Sequence, residues 1–250
     1  MKHLTRKSRK GSLQRFFPLH DESPFLGIGG YGIVFQDRNT AIKLLHNIDK
    51  CQELAHEANI QQTARKVLKK TDIKVPRILD TSTYPVQYKT KSYLCGIAMD
   101  AVPLVNEFDE QVHIILGQND TSDLDESWGQ TIGYPVNPEN PTRGFFASPD
   151  FLEDLWKERQ SKWSLETVAF TMGQGLRLLL DAGIMPDDVE WIYGGDDSIW
   201  LLDFGHCWRG TISPLDYLTA NGMSGLASDI YVPHKGQRGY TEFLQGFLQL

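Results

Sequence analysis

The sequence predicts an α+β protein of two lobes, the first rich in β-strands and the second mainly helical. Short apolar runs in residues 24–45 alternate with Gly-rich and Asp-Arg-Asn-Thr segments, which is typical of β-hairpins. Further along, Ser164 precedes an apolar stripe with helical spacing that Gly183 ends. A chain of 250 residues, 40% hydrophobic and 23% charged, is long enough for two closely joined lobes.

The chain divides into three predicted parts: a basic, mobile arm (1–19), a β-rich N-terminal lobe (20–105) and a mainly helical C-terminal lobe (106–250). Residues 107–150 are rich in Asp, Asn, Gly and Pro and predict an irregular insertion. Smaller elements are predicted from local patterns. They are a helix capped by Asp49, a strand over residues 93–99, a hairpin around residues 194–198 and a helix over 240–250.

The cysteines and the apolar runs bear on the cellular setting. Cys51, Cys95 and Cys207 lie far apart without a Cys-x-x-Cys pair, which predicts neither a disulfide framework nor a zinc site. No run approaches the roughly 18 apolar residues of a membrane helix, and no apolar segment follows the basic first residues as in a secretory signal. We therefore expect a cytoplasmic protein with reduced thiols and no membrane partner.

Charge is distributed unevenly along a chain whose formal net charge is −7. Basic residues concentrate in the arm and again in residues 65–77, whereas acidic residues collect in residues 107–126. Two such basic segments favour a polyanion such as nucleic acid, although a solvated tail and an exposed helix face are the alternative. The candidate phosphate-binding residues are Lys7, Arg9, Lys10, Arg65, Lys66, Lys69 and Lys70.

Four motifs occur in the order found in protein kinases. Residues 27–34 match G-x-G-x-x-G-x-V, Lys43 follows in Ala-Ile-Lys, Glu57 lies on the next helix, and residues 203–205 read Asp-Phe-Gly. The sequence thus resembles a protein kinase. This resemblance implies a two-lobed kinase-like fold in which Lys43 pairs with Glu57. Backbone groups of Gly29, Gly30 and Gly32 would face the substrate.

The resemblance fails where a kinase keeps its proton acceptor. When residues 181–188 are aligned on Pro186, Gly183 replaces the catalytic Asp, Met185 the usual Lys, and Asp188 the metal-binding Asn. Only residues 206–250 follow Asp-Phe-Gly, and they contain no Ala-Pro-Glu. The sequence therefore predicts a reduced C-terminal lobe and no ordinary protein kinase activity.

A second resemblance covers the same region. Residues 187–194 (Asp-Asp-Val-Glu-Trp-Ile-Tyr-Gly), residues 199–204 (Ile-Trp-Leu-Leu-Asp-Phe) and an upstream Arg-Gly-Phe at residues 143–145 are similar to segments of a fungal family. Its members include arginine-containing cyclodipeptide synthases. The resemblance implies an enzyme that joins arginine from arginyl-tRNA to a second aminoacyl-tRNA and releases cyclo-Arg-Xaa. No cofactor is expected, because the esters arrive already activated.

Such chemistry needs carboxylates for the guanidinium and a base for the attacking amine. The predicted catalytic residues are Asp188, Glu190, Asp203 and His206; Asp187, Lys43 and Glu57 are predicted to bind substrate. The alternatives are turn and capping roles for the acids, a structural His206 and an inherited Lys43–Glu57 strut. Trp191, Trp200 and Phe204 are assigned to the core.

Two other functions fit the same residues. A small-molecule phosphotransferase would hold Mg²⁺ on Asp188 and Asp203 and use a relocated base. A non-catalytic pseudokinase or RNA-binding module would bind its partner without turnover.

Overall fold

The computed structural model describes residues 25–29, 32–45, 48–82, 86–88, 91–105, 111–116, 144–187, 189–221 and 232–249. These residues form an α+β architecture, as predicted. Within the described ranges, no helix is long and apolar enough to cross a membrane.

The helices and strands follow one another in a mixed order. The helices are α1 (Ile48–Val67), α2 (Pro149–Glu158), α3 (Leu165–Asp181), α4 (Pro214–Asn221) and α5 (Tyr240–Leu248). The strands are β1 (Phe25–Gly29), β2 (Gly32–Asp37), β3 (Thr40–Leu45), β4 (Ile73–Lys74), β5 (Ile78–Ser82), β6 (Val86–Tyr88), β7 (Lys91–Tyr93), β8 (Cys95–Asp100), β9 (Gln111–Ile114), β10 (Gly144–Ala147), β11 (Ile184–Met185), β12 (Glu190–Gly194), β13 (Ser198–Leu202) and β14 (Trp208–Arg209).

An antiparallel sheet dominates the first part of the described chain, in the order β1-β2-β3-β8-β5. Its strands are rich in β-branched and aromatic residues, which favour a pleated, half-buried surface. Along β3, Ile42 and Leu44 are fully buried while Lys43 points to the opposite face. The helix α1 packs against β3, β5 and β8 on that side of the sheet.

A disulfide ties α1 to this sheet, contrary to the prediction of reduced cysteines. Cys51 in the first turn of α1 is bonded to Cys95, the first residue of β8, with Cα atoms 5.7 Å apart. The prediction was wrong because distance along the chain does not limit distance in space once a helix packs on a sheet. Cys207 is the remaining thiol and is buried.

A second sheet, in the order β10-β9-β12-β13-β4, lies at the centre of the later part. Two of its strands, β9 and the edge strand β10, fall within residues 107–150, so that segment is not irregular throughout. Val112 and Ile114 alternate with polar residues and are fully buried, a period-two pattern hidden by the polar composition around it. Of the predicted insertion over residues 107–150, residues 107–110 and 117–143 lie outside the described residues.

The largest hydrophobic core lies between this sheet and the helix α3. As predicted, Ser164 caps α3 by accepting a hydrogen bond from the backbone N–H of Thr167. The helix α5 packs closely against α3, since a Cβ at Gly173 would lie 2.1 Å from the backbone oxygen of Phe243. The predicted hairpin is β12–β13. Trp191 and Trp200 in the hairpin and Phe204 just after it are buried, as expected.

Candidate functional site

Three charged side chains from distant parts of the sequence meet between the two sheets. Lys43 on β3 donates from Nζ to Oε1 of Glu57 on α1 at 3.0 Å. The same Nζ donates to Oδ1 of Asp203, directly after β13, at 3.2 Å. Lys43 therefore links the first sheet, the helix α1 and the end of the hairpin at one point. We call Lys43, Glu57 and Asp203 the charged cluster.

Lys43 and Asp203 are each held in the ionised form by their surroundings. Burial by itself lowers the pKa of Lys43, but the charges of Asp203 and Glu57 outweigh this and hold the pKa above its ordinary value. Burial raises the pKa of Asp203, but the charge and hydrogen bond of Lys43 outweigh this and hold the pKa below its ordinary value. Asp203 is therefore suited to binding a cation and is a weak proton acceptor.

Backbone geometry aims the Asp203 carboxylate. Asp203 has a φ of +53°, a conformation that non-glycine residues rarely adopt and that ends the regular strand. The backbone N–H of Gly205 then donates to Oδ1 of Asp203 at 3.3 Å. A Cβ at Gly205 would lie 3.2 Å from that oxygen and 3.4 Å from Oε2 of Glu57. The small residue at position 205 lets both carboxylates approach this turn.

Glu190 adds a carboxylate on one face of the hairpin. It is the first residue of β12 and pairs with Leu202, so its side chain shares a face with Ile192, Trp200 and Leu202. Val102, from the segment that follows β8, packs on this face. The opposite face of the hairpin packs into the large core. The side chain of Glu190 is 36% exposed, and its paired residue Leu202 directly precedes Asp203 in the chain.

His113 on β9 lies beside Glu190, with Nδ1 3.7 Å from Oε2. Burial lowers the pKa of His113 to about 4, so the imidazole is neutral at neutral pH. Sequence reasoning missed this residue because it lies in the segment predicted to be irregular. The alternation of Val112 and Ile114 with their neighbours is the signal that could have found it.

The segment aligned with the kinase proton acceptor forms a tight turn after α3. Gly183 has a φ of +69° and donates from its N–H to the backbone oxygen of Leu180 at 2.9 Å. Asp181 is bound to Arg177 at 3.0 Å at the exposed end of α3. Asp187 is half-buried, and its backbone oxygen accepts from the thiol of Cys207 at 3.9 Å. Asp188, predicted to be catalytic, lies outside the described residues.

The remaining predicted site residues are the catalytic candidate His206 and the three glycines assigned to substrate binding. His206 is exposed, three residues after Asp203. Gly29 ends β1 and Gly32 begins β2, while Gly30 between them lies outside the described residues. A Cβ at Gly32 would lie 2.0 Å from the backbone oxygen of Leu44, so packing of β2 on β3 alone requires glycine there.

The predicted RNA-binding residues fall into two groups. Arg65 and Lys66 are exposed in the last turn of α1, and Lys69 and Lys70 are exposed in the short 3-10 helix that follows. Basic residues at this end of a helix also complement its dipole. Lys7, Arg9 and Lys10 lie outside the described residues.

Within the described part of the chain, no group of three or more His, Cys, Asp and Glu side chains is arranged to hold a metal ion.

No protein-family model matches the sequence, and no curated protein matches it at a significant level. The chemistry of the site is therefore inferred from its own residues.

Proposed function

We propose that this chain is an aminoacyl-tRNA-dependent cyclodipeptide synthase that forms cyclo-Arg-Xaa on a kinase-like fold. The observation that carries the proposal is the charged cluster, which is preserved while glycine occupies the position of the kinase proton acceptor. Such a cleft can still bind charged groups through Lys43, Glu57 and Asp203, but it lacks the aspartate that accepts the substrate proton in phosphoryl transfer. It suits a substrate that arrives already activated.

The kinase-like fold is supported by where the motifs fall. The Gly-rich segment joins two antiparallel strands, Lys43 lies on the next strand, and Glu57 reaches it from the helix that follows. Asp203 reaches the same ammonium group from the end of a hairpin. Lys43 and Asp203 are separated by 160 residues in the sequence and still form a hydrogen bond. A Gly-rich turn that matched the kinase motif by chance would not be expected to come with this contact.

The carboxylates suit recognition of arginine. A planar guanidinium donates two parallel hydrogen bonds to a carboxylate and stacks on flat apolar surface. Glu190 offers such a carboxylate opposite the partly buried Leu202, at the partly exposed edge of the hairpin. In this account Glu190 receives the arginine side chain, and Asp203, held ionised by Lys43, receives the ammonium group of an aminoacyl ester.

The reaction consists of two aminolysis steps. The amine of one aminoacyl residue attacks the ester carbonyl of the other, an amide bond forms, the ester bond breaks, and the 3′-oxygen of the first tRNA leaves. The amine of the resulting dipeptidyl ester then attacks the second carbonyl, closes the ring and releases the second tRNA. Each attacking amine loses one proton and each leaving oxygen gains one, so no oxidant or ATP is needed.

Proton transfer requires a base that Asp203 is poorly suited to provide. His206 lies three residues further along the chain and is exposed, so an incoming amine can reach it. Histidine is the side chain that most often serves as a general base in proteins. We therefore assign the base to His206 and substrate orientation to Asp203 and Glu190, with Lys43 positioning Asp203.

The direct experiment mixes purified protein with arginyl-tRNA and a pool of other aminoacyl-tRNAs, without ATP, and analyses the products by mass spectrometry. A cyclo-Arg-Xaa mass is expected, and ribonuclease treatment of the RNA beforehand should abolish it. Glu190→Gln should lower the yield at least tenfold by weakening the guanidinium contact. Asp181→Asn, which removes an exposed carboxylate bound only to Arg177, serves as the matched control. Folded protein that yields no such mass refutes the proposal.

The Lys43–Glu57 pair favours one other function, since kinases use that pair to hold nucleotide phosphates. A small-molecule phosphotransferase would transfer the γ-phosphate of ATP to an acceptor hydroxyl in the presence of Mg²⁺, leaving ADP and the phosphorylated acceptor. Asp203→Asn should abolish that transfer. ATP consumption without any cyclo-Arg-Xaa would favour this function over the synthase.

A further inference from the structure

One surface next to the site combines an exposed aromatic side chain with concentrated positive charge. Trp208 on β14 is 57% exposed, whereas the other tryptophans of the described residues lie in the core. An exposed indole offers a flat apolar face on which the base of a nucleic acid can stack.

The surface lies close to the charged cluster. Trp208 follows Asp203 by five residues, a length of chain that spans at most about 18 Å. It also pairs with Met185 of β11, two residues before Asp187. Trp208 is therefore fixed to the segments that border the candidate site.

Arg209 joins this strand to the basic end of α1. Its guanidinium donates to Oγ1 of Thr63 at 2.8 Å and to the backbone oxygen of Ala182 at 3.2 Å. Neither partner is a carboxylate, so the positive charge of Arg209 is not neutralised by them. On a helix, Lys66 lies one turn beyond Thr63 on the same face, and Lys70 follows in the same direction.

Acidic residues are missing from this part of the sequence. Residues 58–71 contain Arg65, Lys66, Lys69 and Lys70 and no Asp or Glu. A basic stripe at the end of α1, with an exposed aromatic ring on the strand that contacts this helix, suits a single-stranded polynucleotide, because phosphates bind the cations and an unpaired base stacks on the ring. A folded duplex would have no free base face to present to Trp208.

We infer that Trp208 and Arg209 form a platform for the unpaired 3′ end of a tRNA, with Lys66 and Lys70 holding the adjacent phosphates. The inference rests on the proposed function, in which the ester at that 3′ end must enter the site. The basic stripe directs the acceptor arm along α1, and stacking on Trp208 places the terminal nucleotides beside Asp203. The platform explains how a substrate carried by a large RNA is delivered to a small site.

The test uses two uncharged transcripts of an arginine tRNA, one intact and one without its unpaired 3′ nucleotides. The protein should bind the intact transcript about 5- to 100-fold more tightly, the range expected for base stacking. Trp208→Ala should remove that difference, and Trp208→Phe should keep most of it. Equal binding of both transcripts by the unsubstituted protein overturns the inference, as does unchanged discrimination in Trp208→Ala.

The basic stripe is tested by salt titration. Lys66→Ala and Lys70→Ala should each weaken binding of both transcripts and reduce the logarithmic salt slope by roughly 0.7 to 0.9. Lys235→Ala, which removes an exposed lysine from the segment before α5, should leave binding unchanged. If the surface instead contacts a protein, none of these substitutions changes RNA binding, and the inference is wrong.

Failure of this inference can be told apart from failure of the proposed function. Binding of uncharged RNA does not require catalysis, so Trp208-dependent binding without cyclo-Arg-Xaa retains the platform and refutes the synthase. If cyclo-Arg-Xaa forms and Trp208→Ala changes neither its yield nor the KM for arginyl-tRNA, the synthase is retained and the platform is refuted.

Discussion

Lys43 contacts two carboxylates at once, and the balance among these three charges governs the site. The side chain of Glu57 is only 9% exposed, whereas that of Asp203 is 38% exposed. Loss of the lysine would leave Glu57 as a buried charge without its partner, which is more costly than loss of an exposed ion pair. Asp203 would remain partly hydrated.

Lys43→Met should therefore lower the free energy of unfolding by about 2 to 4 kcal/mol, measured by urea denaturation. Adding Glu57→Gln should recover part of that loss, because it removes the uncompensated carboxylate. Lys235→Met, at an exposed position, is the matched control. Strictly additive effects of the two substitutions would contradict the coupling assigned to this pair.

His113 gives the fold a dependence on pH. Its pKa is lowered to about 4 by burial, so the unfolded chain binds a proton first as the pH falls below about 6.5. The contribution of His113 to the free energy of unfolding is therefore fully present above that pH and is lost as the pH falls towards 4. The negative charge of Glu190 favours the protonated imidazole in the folded protein and so opposes this loss. Between pH 7 and pH 5 the expected loss is on the order of 2 kcal/mol.

Urea denaturation at several pH values measures this loss. His113→Asn should flatten the profile between pH 7 and pH 5, while His56→Asn on the exposed face of α1 should not. The same slope in the unsubstituted protein and in His113→Asn would rule out His113 as its source.

At the scale of secondary structure, α1 is the element that couples the sheet to the site. It carries Glu57 at its centre, is bonded to β8 through Cys51 and contacts β14 through Thr63. The disulfide encloses a loop with a sequence separation of 44 residues, so reducing it frees a long loop in the unfolded chain.

Reduction should lower stability by about 4 kcal/mol at most, which corresponds to a fall in Tm of roughly 5 to 15 °C. Differential scanning calorimetry with and without dithiothreitol measures it. Cys207→Ala should respond to dithiothreitol as the unsubstituted protein does, and Cys51→Ser should not respond. Detection of three free thiols in the native, untreated protein would contradict the bond itself.

Local patterns predicted most individual elements, but not how they pair. The cap at Ser164, the apolar stripe of α3 and the hairpin turn each involve neighbours in sequence, so their signals are local. The strands β9 and β10 were missed because β10 pairs in parallel across the long segment between them. The Cys51–Cys95 bond escaped prediction for the same reason, since it depends on how α1 packs on β8.

At the scale of the whole molecule, two sheets and the helix α1 bring residues 43, 57 and 203 to one point. The order of the four kinase motifs in the sequence predicted that these residues lie together, because in protein kinases all four motifs contribute to one cleft. Glu190 was suggested as part of the same site, but its neighbour His113 could not be. That contact requires β9 to lie beside β12, which the sequence did not indicate.

The central claim is that this cleft acts on esters carried by RNA and does not transfer phosphate. The most direct measurement follows radiolabelled arginine from arginyl-tRNA, with a second aminoacyl-tRNA present, after apyrase has removed ATP. The account predicts that arginine lost from tRNA appears in cyclo-Arg-Xaa in a one-to-one ratio and at an undiminished rate. Arginyl-tRNA that stays intact, beside ATP hydrolysis that Asp203→Asn abolishes, would contradict it.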